Sequence, residues 1–305
     1  MNSPVSDLPA LPEALLFSDR VWNWRGFEIA YQTQGDSGAA VVLVHGFGAS
    51  SGHWRKNIPA WADSFRVFAI DLVGFGRSEK PAPGIGIDYT FDTWAELLND
   101  FCREIVGEPV FFVANSIGCV AAMQAAIAAP DLARGIVQLN CSLRLLHDRR
   151  RATQNIFKRY GTGVVQDLLS VPAVGKFFFS RVATANTVRS ALSQAYVRKA
   201  AITDDLIEML LAPSRSPTAW EVFVAFTRYS QGPLPEDLLP ELPCRTLVVW
   251  GDRDPWEPVG LARAFADYDT VDDFVELPNV GHCPQDEAPE LVNPVVEQWI
   301  LEAAR

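Results

Sequence analysis

Apolar residues come in two rhythms along this chain. Short unbroken runs at Ala40–Val44, Arg66–Ile70, Val110–Ala114, Gly135–Asn140 and Arg245–Trp250 read as parallel strands buried on both faces. Phe274–Leu277 is a further short strand, and residues 21–34 (VWNWRGFEIAYQTQ) partly alternate, which predicts a hairpin turning at Arg25-Gly26. Between these runs the period lengthens. Thr90–Ile105 is an amphipathic helix with Thr90 or Asp92 as its cap, and residues 117–127 form a helix of small residues. Helices are also expected near 259–267 and from Glu287 onward, with a surface helix or turn over Trp54–Trp61. Eight strands alternating with helices predict an α/β fold, a mostly parallel sheet covered on both faces.

The alternation is interrupted once. From Leu143 to about Pro240 strand patterns disappear and helical ones replace them, as at 204–211 and 218–229. The expected organisation is a proline-rich arm (1–19), a core of 20–140 and 241–305, and an inserted helical lid (141–240). Such a lid would cover the C-terminal ends of the strands, where open α/β sheets bind ligands.

Charge sharpens this division. The chain carries −11 overall, which argues against general nucleic-acid binding. Between Cys141 and Pro235, however, 13 Lys/Arg stand against 6 Asp/Glu, a local +7. The default reading of Arg149-Arg150-Arg151 is a solvated face. Peripheral contact with an anionic membrane is the secondary expectation, at about 1 kcal/mol per basic residue near the surface. No run approaches the roughly 20 apolar residues of a membrane span, and residues 1–12 lack the features of a secretory signal. Five scattered cysteines without a C-x-x-C pair point to reduced thiols and away from structural zinc. The expectation is a soluble protein of the cytoplasm or another reducing compartment.

Candidate chemistry begins at Ser116, where a buried strand meets the small-residue helix in Ala114-Asn-Ser116-Ile-Gly118. A serine on a sharp strand-to-helix turn has its hydroxyl exposed at the sheet edge; the plainer reading is a helix N-cap. Serine needs a neighbouring base, and the base an orienting acid. Asp254 follows the strand ending at Trp250, and His282 follows the strand ending at Leu277. Both fall at the same edge as Ser116, in the order serine, acid, histidine. Asp252 competes with Asp254 for the acid. Of the other histidines, His45 reads as a prop, and His53 and His147 as surface or packing residues. Cys119 and Cys283 read as small core fillers.

With these motifs the chain resembles the α/β-hydrolase superfamily from about residue 20 to its C-terminus. His45-Gly46-Phe47-Gly48 resembles its oxyanion loop, residues 71–80 its D-x-x-G-x-G-x-S segment, and residues 251–258 its acid loop. The resemblance implies Ser116 as nucleophile, His282 as general base and Asp254, favoured by spacing over Asp252, as acid. It implies the backbone N–H groups of Phe47 and Ile117 as oxyanion hole, each worth about 3–4 kcal/mol, and neither cofactor nor metal. Asp71 and Arg77 are expected to brace these loops through a charge-assisted bond.

The loops also resemble those of epoxide hydrolases and haloalkane dehalogenases, which carry aspartate at the elbow; serine at 116 points instead to acyl transfer. Asn115, expected among the substrate-binding residues, together with residues 140–146 and 281–290, is similar to the plastid and cyanobacterial group of pheophytinase and chlorophyll dephytylase. That resemblance implies a hydrophobic ester such as a phytyl ester as the small-molecule partner. Phe177–Phe179 and Leu168-Leu169 would then line a tunnel or simply pack lid helices. The alternatives are a small carboxylesterase, a C–C bond hydrolase, a hydroxynitrile-lyase-like enzyme and a triad-bearing ligand receptor.

Overall fold

The computed structural model describes residues 18–151 and 171–305. Eight strands form one sheet: β1 (Ser18–Trp24), β2 (Phe27–Gln34), β3 (Ala40–Val44), β4 (Arg66–Ile70), β5 (Val110–Asn115), β6 (Ala133–Leu139), β7 (Arg245–Gly251) and β8 (Val271–Leu277). Their order is β1-β2-β4-β3-β5-β6-β7-β8, and all neighbours from β4 to β8 are parallel. The predicted α/β class is borne out. The β1–β2 hairpin turns where expected, with Arg25 at φ 53° and Gly26 at φ 92°. It begins earlier than expected, because Ser18 and Asp19 pair with Thr33 and Gln32; the rest of the predicted arm lies outside the described residues.

The strand order explains where a ligand can enter. From β3 the chain goes to β4 on one side and then crosses to β5 on the other. The C-terminal ends of β3 and β5 therefore part at the switch point of the sheet, a natural crevice. All residues of both strands are buried. Behind them pack α1 (Phe91–Phe101), capped by the Thr90 hydroxyl on the Thr93 N–H, and α2 (Ile117–Ala128). Helix α2 consists largely of Ala, Gly and Cys because it runs against β3. A Cβ on Gly118 would stand 2.6 Å from the carbonyls of Val44 and His45.

Four longer helices are described between β6 and β7: α3 (Pro172–Val182), α4 (Ala185–Ala195), α5 (Asp204–Leu211) and α6 (Ala219–Arg228). The two ends of this segment are clasped together. Arg144 donates to the carbonyls of Pro233, Tyr229 and Gln231, and His147 Nε2 lies 2.9 Å from the Gly232 carbonyl. Arg149, exposed as expected of a solvated face, pairs with Asp237, and the half-buried Arg150 pairs with Glu236. After β7 and β8, α7 (Pro289–Ala303) closes the second face of the sheet. Trp54 and Trp61 also pack there; both are fully buried, unlike the surface turn expected.

Candidate active site

Ser116 sits at the β5–α2 junction with φ 55° and ψ −122°, a conformation costly for any residue with a Cβ. Its hydroxyl does not cap the helix, so the N-cap reading has no support in the geometry. Strand neighbours fix the turn: the Ser116 N–H donates to the Leu139 carbonyl at 3.1 Å, and its own carbonyl accepts from Ser142 N–H at 3.1 Å. Across the crevice lies Gly46, where an added Cβ would come within 3.0 Å of the Ser116 Cβ.

The loop after β3 has its amides aimed by His45. The buried imidazole lies with Nδ1 2.7 Å from the Gly46 carbonyl, while Nε2 is 3.0 Å from the Leu72 N–H. Since Nε2 must accept, Nδ1 carries the proton and donates to Gly46. Burial, opposed by the Asp71 charge and the Gly46 bond, keeps this ring neutral by lowering its pKa. In a trans peptide the C=O and the following N–H point in opposite directions. Pinning the Gly46 carbonyl therefore directs the Phe47 N–H away from it. Among the described residues, neither the Phe47 nor the Ile117 N–H donates to a protein acceptor.

Asp71 braces the next loop, though not as expected. Its carboxylate accepts from the backbone N–H groups of Ser51 (2.5 Å) and Arg77 (2.7 Å), whereas the Arg77 guanidinium pairs with Asp19. A main-chain donor does the work expected of the side chain, and Arg77 swings outward to the β1 edge.

His282 is held on three sides. Its Nδ1 lies 2.7 Å from Asp254 Oδ2, its N–H donates to the Ala195 carbonyl at 2.8 Å, and its carbonyl accepts from the Asn115 amide at 3.1 Å. The Trp256 ring stands over the imidazole at 5.0 Å. Burial would raise the Asp254 carboxyl; hydrogen bonds from His282, the Glu257 N–H and Asn140, with the His282 charge, outweigh it and lower the pKa. Asp252 instead accepts from the Asn279 N–H, a local loop contact.

Asn115, expected among the substrate-binding residues, lies between the elbow and the histidine loop. It is 2% exposed, and its amide donates to the carbonyls of Leu139 and His282. With both amide protons used, it ties the elbow to the histidine loop and offers no donor to a substrate. The thiols do behave as fillers. Cys119 donates to the Ala114 carbonyl, and burial pushes the Cys283 pKa well up.

Three residues of the site carry little sequence signal of their own. Asn140, at φ 45°, donates to Asp254 Oδ2 at 2.8 Å and accepts from Gly251 N–H. Glu257 accepts from Ser142 Oγ and Leu143 N–H, each at 3.0 Å, lashing the acid loop to the segment leaving β6. Glu287 accepts from the N–H groups of Gly281, Val197 and Arg198, joining the histidine loop to the end of α4. A polar residue at the end of an apolar strand was the one available hint for Asn140.

Beside the loop after β3 lies an apolar cavity of about 110 Å3, lined among others by Phe47, Phe75, Phe179, Val222 and Phe223. Of the expected tunnel residues only Phe179 reaches it. Phe177 and Phe178 are 61% and 40% exposed, and Leu168-Leu169 lie outside the described residues.

Comparison with known proteins agrees with this geometry. A model of the alpha/beta hydrolase family matches residues 41–295. Chloroplastic pheophytinase of Arabidopsis thaliana is 24% identical over 86% of this chain, which spans 61% of that relative's length. The 2-hydroxy-6-oxo-6-(2'-aminophenyl)hexa-2,4-dienoic acid hydrolase of Metapseudomonas resinovorans is 27% identical over 90% of this chain and 88% of its own. A solved epoxide hydrolase superposes with a TM-score of 0.76 at 19% identity, covering 94% of this chain and 99% of the other, a likeness of fold.

Proposed function

Because this chain belongs to the alpha/beta hydrolase family, we propose that it cleaves a hydrophobic carboxylic ester through an acyl-enzyme on Ser116. The observation that carries the reading is the 2.7 Å contact between His282 Nδ1 and Asp254, on the loop that Asn115 ties to the elbow of Ser116. Asp254 holds the proton on Nδ1 and leaves Nε2 as the base. Ser116 Oγ attacks the ester carbonyl as its proton passes to Nε2. The N–H groups of Phe47 and Ile117 receive the developing oxyanion. Collapse expels the alcohol, which takes the proton back from His282. Water, deprotonated by the same nitrogen, then attacks the acyl-enzyme and releases the acid and Ser116.

The helical segment between β6 and β7 serves as the lid, and the cavity beside Phe47 receives one apolar end of the ester. At about 110 Å3 it is smaller than the roughly 300–1,000 Å3 of sites that enclose a drug-sized ligand. A cavity of this size holds part of the substrate only. The pheophytinase relative supports a phytyl ester of a chlorophyll-type pigment as the natural substrate. The dienoic acid hydrolase relative supports cleavage of a C–C bond beside a carbonyl as the second reading. Steady-state turnover of p-nitrophenyl esters of rising chain length, a phytyl ester and a dienoic ketone acid distinguishes them. Ester hydrolysis abolished by Ser116→Ala supports the first; turnover of the ketone alone overturns it.

A further inference from the structure

No Asp or Glu occurs from Leu168 to Thr203, in a chain of net charge −11, while five Lys/Arg do. Three of those five are engaged: Arg189 pairs with Asp204, Arg198 with Glu290, and Lys199 donates to the carbonyls of Ser193 and Tyr196. The other two, Lys176 and Arg181, are exposed on α3 and make no ion pair with a described carboxylate. They flank an unusual stretch of surface. Phe177 is 61% exposed and Phe178 40%, Val171 at the start of the helix is 47% exposed, and the Arg181 guanidinium stands 5.1 Å over the Phe177 ring. Residues 174, 177, 178 and 181 share one helical face, and the exposed Lys176 lies about 100° round the helix from Phe177. Two outward phenylalanines rimmed by cations, with no anion near in sequence, are costly to leave in water and suited to an interface of apolar chains beneath anionic headgroups.

The opposite side of the same helix faces the site. Phe179 lines the cavity next to Phe47 and meets Phe223 at 5.5 Å. One helix thus presents Phe177 outward and Phe179 inward, while Phe178, 40% exposed, also has its ring 6.4 Å from Phe223. We infer that α3 is a docking helix for an anionic lipid surface, inserting Phe177 and Phe178 among the acyl chains while Lys176 and Arg181 engage headgroups. An apolar ester dissolved in the bilayer then has only the thickness of α3 between it and the cavity. That last consequence rests on the acyl-enzyme reading above; the docking itself does not.

Co-sedimentation with vesicles tests it, using phosphatidylcholine alone and mixed with phosphatidylglycerol. Native protein is expected to pellet with the mixed vesicles, to bind the neutral ones at least tenfold more weakly, and to be released by salt. Lys176→Gln/Arg181→Gln weakens binding roughly fivefold per charge. Phe177→Asp/Phe178→Asp abolishes it while leaving Tm and p-nitrophenyl acetate turnover unchanged. Ser116→Ala binds like native protein, which separates failure of docking from failure of the catalytic reading. Native protein that ignores vesicle charge, or both double variants binding as native does, overturns the inference. So does sedimentation equilibrium showing a dimer that Phe177→Asp/Phe178→Asp dissociates, with no vesicle binding.

Discussion

The C-terminal edge of the sheet and the helices that lie against it are built in opposite ways. At the edge nearly every polar group is buried and spoken for: Asn115, Asn140, Glu257, Glu287 and Asp254 each bridge two or more segments. Along α3 one residue is buried and three large apolar side chains at or beside it face water. A hydrogen-bonded network in low dielectric tolerates little displacement, whereas a surface helix can change its contacts cheaply. The edge is suited to hold reacting groups in register, and the helices to decide what reaches them. Substitutions should therefore divide sharply, with the edge controlling kcat and the helices controlling KM and substrate range.

The largest expected effect is at the nucleophile. Ser116→Ala should lower kcat roughly 10⁵- to 10⁶-fold on a p-nitrophenyl ester with Tm nearly unchanged. Asp254→Asn comes next, at roughly 10⁴-fold. Asp252→Asn, two residues away, should leave kcat alone and shift stability by only about 0.5 kcal/mol. Equal losses from the two aspartates would break the assignment of the acid. Asn140→Ala and Asn115→Ala release the acid and the histidine loop, and each should cost roughly 10- to 100-fold in kcat, read by single-turnover kinetics.

On the other side of the divide, Phe179→Ala should raise KM about tenfold for long-chain esters and leave kcat for acetate esters as it was. A fall in kcat for acetate there would show that the helices take part in the chemistry. Glu257→Gln is the mildest for catalysis, and its signature is pH. Burial pushes the Glu257 carboxyl up to about 7 from the usual 4.5, against the His282 charge and the bonds from Leu143 and Ser142. Between those values the native state holds a proton that the unfolded chain has released. The stability from this group is complete below pH 4.5 and is lost as pH rises to about 7, on the order of 3 kcal/mol. Native protein should lose stability relative to Glu257→Gln between pH 5 and pH 8 in urea melts; a constant difference would contradict this.

Much of the edge was legible in the chain itself, because strand ends, glycines and a serine after an apolar run are local signals. The eight strands and the hairpin turn at Arg25-Gly26 follow from patterns a few residues long, as does the choice of Thr90 or Asp92 for the cap that the structure assigns to Thr90. Bonds between distant loops leave no such local signal. Asn140 and Asp254 lie 114 positions apart, and Asn115 and His282 lie 167 apart. Nothing in either local sequence announces the partner. Asn115, expected among the substrate-binding residues, has both amide protons on the Leu139 and His282 carbonyls, and the bond to Asp71 expected of the Arg77 guanidinium is made by the Arg77 backbone amide. The burial of Trp61 depends on α7, more than 200 residues later, whose Asn293 carbonyl accepts from its indole N–H.

If Ser116 is a nucleophile activated by His282 and Asp254, intact-mass measurement after treatment with a fluorophosphonate will detect it. Native protein should gain one phosphonyl adduct that peptide mapping finds on Ser116. Labelling should slow by orders of magnitude in Asp254→Asn and vanish in Ser116→Ala. Native protein that stays unmodified, or Ser116→Ala labelling at the native rate, would contradict the account.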